Sequence, residues 1–234
     1  MSSPVPTVRS ARIAGLLYAL MGLPAPFSLI YIPNKLIVAG NAAATAGNVS
    51  GHEMLFRAGI GLTLASAVGF IFLVLALYRL LSGVDKAHAA LMVVLVSVSV
   101  AVTFLNEVNN IAALTLFRGA DYLSVFDQPQ REALGLFFLR LHHHGLIVDQ
   151  IFWGLWLFPF GLLVMRSRFL PRALGLLLLV NGMAYVAVSV TSLVAPDFLR
   201  VVSLATLPAL LGELWIMLWL LIKGVRVPPP IVAA

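Results

Sequence analysis

Long apolar runs separated by short polar connectors give this chain its pattern. Mostly apolar stretches occupy residues 11–32, 58–81, 89–117, 136–165, 173–195 and 204–222. A helix needs roughly 20 such residues to cross the hydrocarbon of a bilayer, and six stretches meet or approach that length. The pattern predicts an all-α, polytopic membrane bundle of six transmembrane helices, a single integral membrane domain over residues 1–234. Short connectors fall at 79–88, at the RSRFLPR turn of 166–172 and at APDFLR, 195–200. Two longer ones, 33–57 and 118–135, mix Ala, Gly and polar residues, and each is expected to hold a short interfacial helix. Gly40 or Asn41 starts the first, and Asp127 with Pro129 starts the second. The Pro-rich tail GVRVPPPIVAA is expected to be extended.

Pro24 and Pro26 fall late in the first apolar run and should kink it, because each removes a helical hydrogen bond. That run also has the outline of a signal peptide, with Arg9 and Arg12 as its charged start. No A-x-A pattern follows it, and the prolines occupy the place of a cleavage site, so an uncleaved helix is expected. Lys and Arg then set the orientation. With the N-terminus inside, one side carries Arg9, Arg12, Arg79, Lys86, Arg166, Arg168, Arg172, Lys223 and Arg226. The other carries Lys35, Arg57, Arg118, Arg131, Arg140 and Arg200. The excess places both termini in the cytoplasm and the two long connectors outside an inner, plasma membrane.

Composition agrees with this pattern. The 234 residues are 61% hydrophobic and 10% charged, with a mean hydropathy of +1.03, whereas soluble domains carry about 25% charged residues. Such a chain cannot cover itself with a polar surface. Its net charge of +6 comes from basic residues scattered singly between apolar runs, which suits anionic lipid rather than nucleic acid. The expected partners are membrane lipid and a second copy or another membrane protein. Cys is absent, which excludes disulfides, thiolate metal sites and Cys nucleophiles.

Against this background LRLHHHGLIVDQIFWGLW, residues 139–156, is dense in titratable groups. Three acids fall within apolar runs: Glu107, Asp149 and Glu213. An ionised side chain at the bilayer centre costs at least about 2.5–3.5 kcal/mol on insertion scales, so these groups should face the bundle interior with partners. In TFLNEVNNIAALTLF, Asn106 and Asn110 share a helix face, flanked by Glu107 and Asn109. His142 and Asp149 lie two turns apart with Gly145 between them, and His143 and His144 turn elsewhere because successive helical residues rotate by about 100°. Asn106, Glu107, Asn110, His142, Asp149 and Glu213 are therefore expected to form one interior polar layer. Asn side chains in such places commonly serve as helix glue. The glycines of the second run, 59, 61 and 69, read as close-packing positions.

Several separated blocks resemble the bacterial domain of unknown function 4386 family over about residues 10–225: SARIAGLLYALMGL, the H-E-x-L-F-R block, GADYL, and L-H-x-x-G followed by R-S-x-F-L-P-R-x-L-G. The resemblance implies a multi-spanning bacterial membrane protein and brings no activity, substrate or cofactor. The positions it carries over are His52, Glu53, Arg57, His142, Gly145, Arg166, Pro171 and Gly175. Glu107, Asp149, Pro24, Pro26, His143 and His144 depart from its motifs. Physically, Glu53 and Arg57 are four apart in the order that favours an intrahelical ion pair. His52, Glu53, Arg57 and Arg140 make a candidate site at the outer mouth.

Three functions fit these residues. The first is a non-enzymatic bundle that binds lipid or a partner. The second is a proton-coupled transporter using Glu107, Asp149, Glu213 and His142. The third is a membrane-embedded enzyme at the outer leaflet, metal-assisted or acid–base, through His52, Glu53 and His142. The chain has no H-E-x-x-H, no His pair at i, i+4, no G-x-S-x-G and no S-x-x-K, so neither metal nor other cofactor is expected and the first function is favoured.

Overall fold

Prolines and chain polarity cut the apolar runs into helices. The computed structural model describes residues 6–226, and all regular elements there are helical. They are α1 (Val8–Gly22), a π-helical turn (Pro26–Tyr31), α2 (Ile32–Leu36), α3 (Ala42–Gly51), α4 (Glu53–Leu81) and α5 (Lys86–Arg118). A 3-10 turn (Asp121–Leu123), α6 (Gln128–Leu155), α7 (Leu157–Arg166) and α8 (Arg172–Val194) follow. The last span begins with a 3-10 turn (Pro196–Phe198) and continues as α9 (Leu199–Thr206), a second 3-10 turn (Leu207–Leu211) and α10 (Gly212–Ile222). The tail expected to be extended, from residue 227 onward, lies outside the described residues.

Six helical segments are long and apolar enough to cross a membrane: Val8–Leu36, Glu53–Leu81, Lys86–Arg118, Gln128–Arg166, Arg172–Val194 and Pro196–Ile222. The protein is thus an all-helical, multi-pass membrane protein, as its hydrophobic pattern predicts. Each interruption has a proline. The first helix breaks at Leu23–Pro24, and beyond it Ile32 N–H reaches five residues back to Phe27 O, the wide π register. Pro159 has no N–H for the Leu155 carbonyl, and α6 gives way to α7 at Trp156. Pro208 sits in the 3-10 turn before α10, and the last span reaches back to Pro196 rather than starting near residue 204.

The long connectors differ from each other. The first holds the separate helix α3, capped by Asn41, whose side chain accepts from Ala44 N–H at 2.9 Å. In the second, Asp127 and Gln130 exchange side-chain and backbone bonds at 2.8 and 3.0 Å, a capping box. That box opens α6 itself, so the only separate element ahead of it is the short 3-10 turn.

The structure resolves into two compact units. One comprises the described parts of Met1–Leu20, Gly69–Ser99 and Gln150–Ala234. Its core includes Leu73, Leu77, Met92, Trp156, Phe160, Leu178 and Ile216, all essentially inaccessible. Backbones meet closely there. A Cβ on Gly182 would lie 2.8 Å from Gly154 O, and one on Gly161 would lie 2.8 Å from Gly175 O. Small residues at such crossings let membrane helices gain packing energy where no hydrophobic force drives association. At one rim of this unit Asp85 caps α5, accepting from Ala87 N–H and His88 N–H, and pairs with the His88 ring at 2.7 Å and Arg166 at 3.3 Å.

The other unit comprises Met21–Val68 and Val100–Asp149. Ile32, Leu36, Val49, Phe56, Ala113, Leu114 and Leu139 form its core. Thr45 ties α3 to the preceding loop, accepting from Val38 N–H at 3.0 Å and donating to Asn41 O at 2.8 Å. Of the glycines expected to pack closely on α4, Gly59 meets Ile32, while a Cβ on Gly61 would meet nothing within 4 Å.

Gly182→Ala should lower the thermal midpoint of the detergent-solubilised protein by an amount equivalent to about 1–3 kcal/mol of overpacking. Gly61→Ala, which only gains helix propensity, should leave it unchanged or raise it by the equivalent of roughly 0.5–1 kcal/mol. At Asp85, the donated His88 N–H, aided by the His88 ring and Ala87 N–H, holds the carboxyl below its ordinary pKa. The native state therefore gains from an ionised Asp85 above the ordinary carboxyl pKa and loses that gain as pH falls through the lowered value. Asp85→Asn keeps a cap acceptor and removes the charge. It should melt earlier than the parent protein at neutral pH, and the two melting curves should converge on acidification.

Candidate functional site

Two polar groupings occur within the spans, one in each unit. On α5, Thr103, Asn106, Glu107 and Asn110 fall at i, i+3, i+4 and i+7, a single face. On α6, His142, Gly145 and Asp149 repeat at i, i+3 and i+7. The two faces mate. Asn106 Nδ2 donates to the His142 carbonyl at 2.9 Å, and His142 Nδ1 lies 3.3 Å from the Asn106 carbonyl. A carbonyl only accepts, so Nδ1 carries the proton and Nε2 of the neutral ring is an acceptor. Asn110 Nδ2 fits that assignment, donating to His142 Nε2 at 3.3 Å and to Glu107 Oε2 at 2.9 Å. One amide thus bridges an imidazole and a carboxylate whose nearest atoms, Nε2 and Oε1, are 3.9 Å apart. Further along the seam, Thr103 Oγ1 donates to Asp149 Oδ2 at 2.7 Å.

Gly145 makes the seam possible. A Cβ there would collide with the Asn106 amide, whose Nδ2 would lie only 2.8 Å away. Glu107, Asp149 and Asn106 are buried, at 2%, 1% and 7% exposure, and the His142 side chain keeps 15%. His143 and His144 are exposed beside it, their rings 6.1 Å apart.

Glu213 takes its partners in the first unit. Tyr18 Oη donates to its Oε1 at 2.5 Å, Asn181 Nδ2 approaches Oε2 at 3.4 Å, and the Tyr185 hydroxyl also hydrogen-bonds to the carboxylate. Aromatic contacts fix both hydroxyls: Tyr18 lies against Trp156 at 6.1 Å, and Tyr185 meets Trp153 edge-on at 6.0 Å. The expected polar layer is therefore distributed. Asn106, Glu107, Asn110 and His142 form one network, Thr103 with Asp149 forms a neighbouring bond on the same two helices, and Glu213 has Tyr18, Tyr185 and Asn181. No Lys or Arg pairs with Glu107 or Glu213 among the described residues.

The candidate outer-mouth residues behave differently. Glu53 and Arg57 pair at 2.7 Å within α4, and Arg118 adds a contact to Glu53 at 3.6 Å. His52 Nδ1 faces Asn48 O at 3.1 Å, and Arg140 is exposed on α6. Among the described residues no three His, Asp or Glu gather closely enough to hold a metal ion. Sequence reasoning missed Thr103, Arg118, Asn181, Tyr18 and Tyr185. The signal for Thr103 was its spacing, one turn before Asn106 on the polar face; a tyrosine in an apolar run gives none.

No curated protein and no solved structure matches the chain. Residues 13–224, which include both groupings, match a family described as a domain of unknown function. On that match the protein is a member of the DUF4386 family.

Proposed function

We propose that the protein is a non-enzymatic helical bundle of the bacterial inner membrane that binds lipid or a membrane-protein partner, with both termini in the cytoplasm. The observation that carries this reading is the reciprocal Asn106–His142 bond pair across α5 and α6. Polar groups there are spent on joining helices, which is the ordinary use of amides and imidazoles in hydrocarbon. The opposite face of α5 presents Phe104, Leu105, Val108 and Ile111 to its surroundings, a surface suited to acyl chains or another apolar helix. The excess of Lys and Arg at the Arg79–Lys86 and Arg166–Arg172 connectors supports cytoplasmic termini.

Gly145→Ala should displace the Asn106 amide and lower the thermal midpoint by the equivalent of about 1–3 kcal/mol. Asn106→Ala should cost less, about 0.6–1.7 kcal/mol, from the average to the maximum measured for interhelical bonds. If Gly145→Ala melts like the parent, the seam is not what joins these helices. Orientation has a direct test because the chain has no Cys. Ser124→Cys should react with an impermeant maleimide in intact cells, and Ser82→Cys only after permeabilisation. The reverse labelling would overturn the assignment.

A second reading, a proton-coupled carrier, is favoured by one feature: the Asn110 amide bridging Glu107 and His142. A proton arriving at Nε2 would turn that atom from acceptor to donor, facing Glu107 Oε1. In vesicles with a trapped pH dye, the reconstituted protein should relax an imposed pH gradient faster than empty vesicles, and Glu107→Gln should remove the gain. Equal rates with and without protein would count against this reading.

A further inference from the structure

The Glu213 grouping holds an unused acceptor. Asn181 is fully buried, and its Oδ1 is one of two inaccessible side-chain polar atoms without a hydrogen-bond partner among the described residues. A buried acceptor left unpaired is expensive and rare. Its geminal nitrogen reaches Glu213 Oε2 only at 3.4 Å, at the long limit of a hydrogen bond. The packing that holds this side chain is close: a Cβ on Gly212 would lie 3.1 Å from Asn181 Cβ and 2.7 Å from Leu177 O.

An ionised Glu213 would also be unbalanced. Glu213 is met by Tyr18 from α1, by Tyr185 and Asn181 from α8, and by no Lys, Arg or His within ion-pair distance among the described residues. Its neighbours supply neutral donors. An ionised carboxylate in a membrane span is costly, a cation beside it offsets that cost, and the orphaned amide oxygen nearby is a ligand atom of the right kind.

We propose that Glu213, with Asn181 Oδ1, Tyr18 and Tyr185, forms a binding site for a single monovalent cation, a proton or Na⁺. If the ligand is a proton, it joins Glu213 Oε2. The Asn181 amide turns over so that Oδ1 accepts from the new O–H, while Tyr18 continues to donate to Oε1. The two orientations of an amide differ only by exchanging donor and acceptor, so the same pocket serves both forms. If the ligand is Na⁺, the same turn of the Asn181 amide brings Oδ1 toward Glu213, and the oxygens of the two residues are its anchoring ligands, as expected of a hard cation that takes oxygen ligands. The site concerns binding alone and goes beyond both functional readings: it holds whether or not the cation is carried across the membrane.

The test uses the full chain reconstituted in lipid nanodiscs. One arm compares thermal midpoints in NaCl and choline chloride at equal ionic strength. The other records the infrared carbonyl band of protonated carboxyl groups through a pH jump. Na⁺ binding is expected as a midpoint several degrees higher in NaCl that Glu213→Gln abolishes. Proton binding is expected as no Na⁺ effect and a carboxyl band that Glu213→Gln removes and Asn181→Leu displaces. Tyr185→Phe, which keeps the carboxylate, should weaken the Na⁺ effect or displace the band, and it stands in should Glu213→Gln not fold. Absence of both signals in the parent protein overturns the proposal. So does either signal persisting unaltered in the variants, which would assign it to Glu107 or Asp149.

Discussion

Hydrocarbon offers no hydrogen bonds, and that single fact governs which side chains this protein places inside its spans and what they touch. A polar group there must find its partner within the chain. Asn106 and His142 meet the demand reciprocally, each using a side chain on the other's backbone carbonyl. Those carbonyls already accept from their own helices and lend a second lone pair. The bond pair therefore joins α5 to α6 without unwinding either. Thr103 does the same for Asp149 with one hydroxyl.

The backbone obeys the same constraint by other means. Pro24, Pro159 and Pro208 each withhold a donor, and at each the helix shifts to a turn, a π register or a 3-10 register that re-pairs what it can. Close helix crossings depend on residues without side chains. Gly154 against Gly182 brings two backbones together. Gly145 has a different use, because the space left by its missing Cβ is filled by the Asn106 amide. Packing and hydrogen bonding are one arrangement there: the same glycine admits both the helix and the donor.

Charged groups sort by location. At helix ends, where water competes, acids pair with bases: Glu53 with Arg57 and Arg118, and Asp85 with Arg166. Exposed pairs of this kind contribute little energy, and their value is in fixing where a helix begins. Inside the spans Glu107 and Glu213 receive an amide and a hydroxyl instead, and Asp149 receives the Thr103 hydroxyl. Neutral donors hold a carboxyl group in place without supplying a countercharge.

The number and approximate limits of the spans follow from the sequence alone, because crossing hydrocarbon imposes a minimum apolar length that any local reading detects. Helix caps such as Asn41 and Asp127 are equally local, as is the α4 pair of Glu53 and Arg57. The mating of His142 with Asn106 is half legible: spacing puts each on a polar face, but not which faces meet. Which partners Glu213 takes was decided only in three dimensions. Tyr18 and Asn181 are 195 and 32 residues away from it in the chain. Neither stands out, since a tyrosine or a single amide in an apolar run is ordinary. Apolar periodicity says that a face is buried; only the tertiary packing of α1, α8 and α10 decides which hydroxyl arrives opposite which acid.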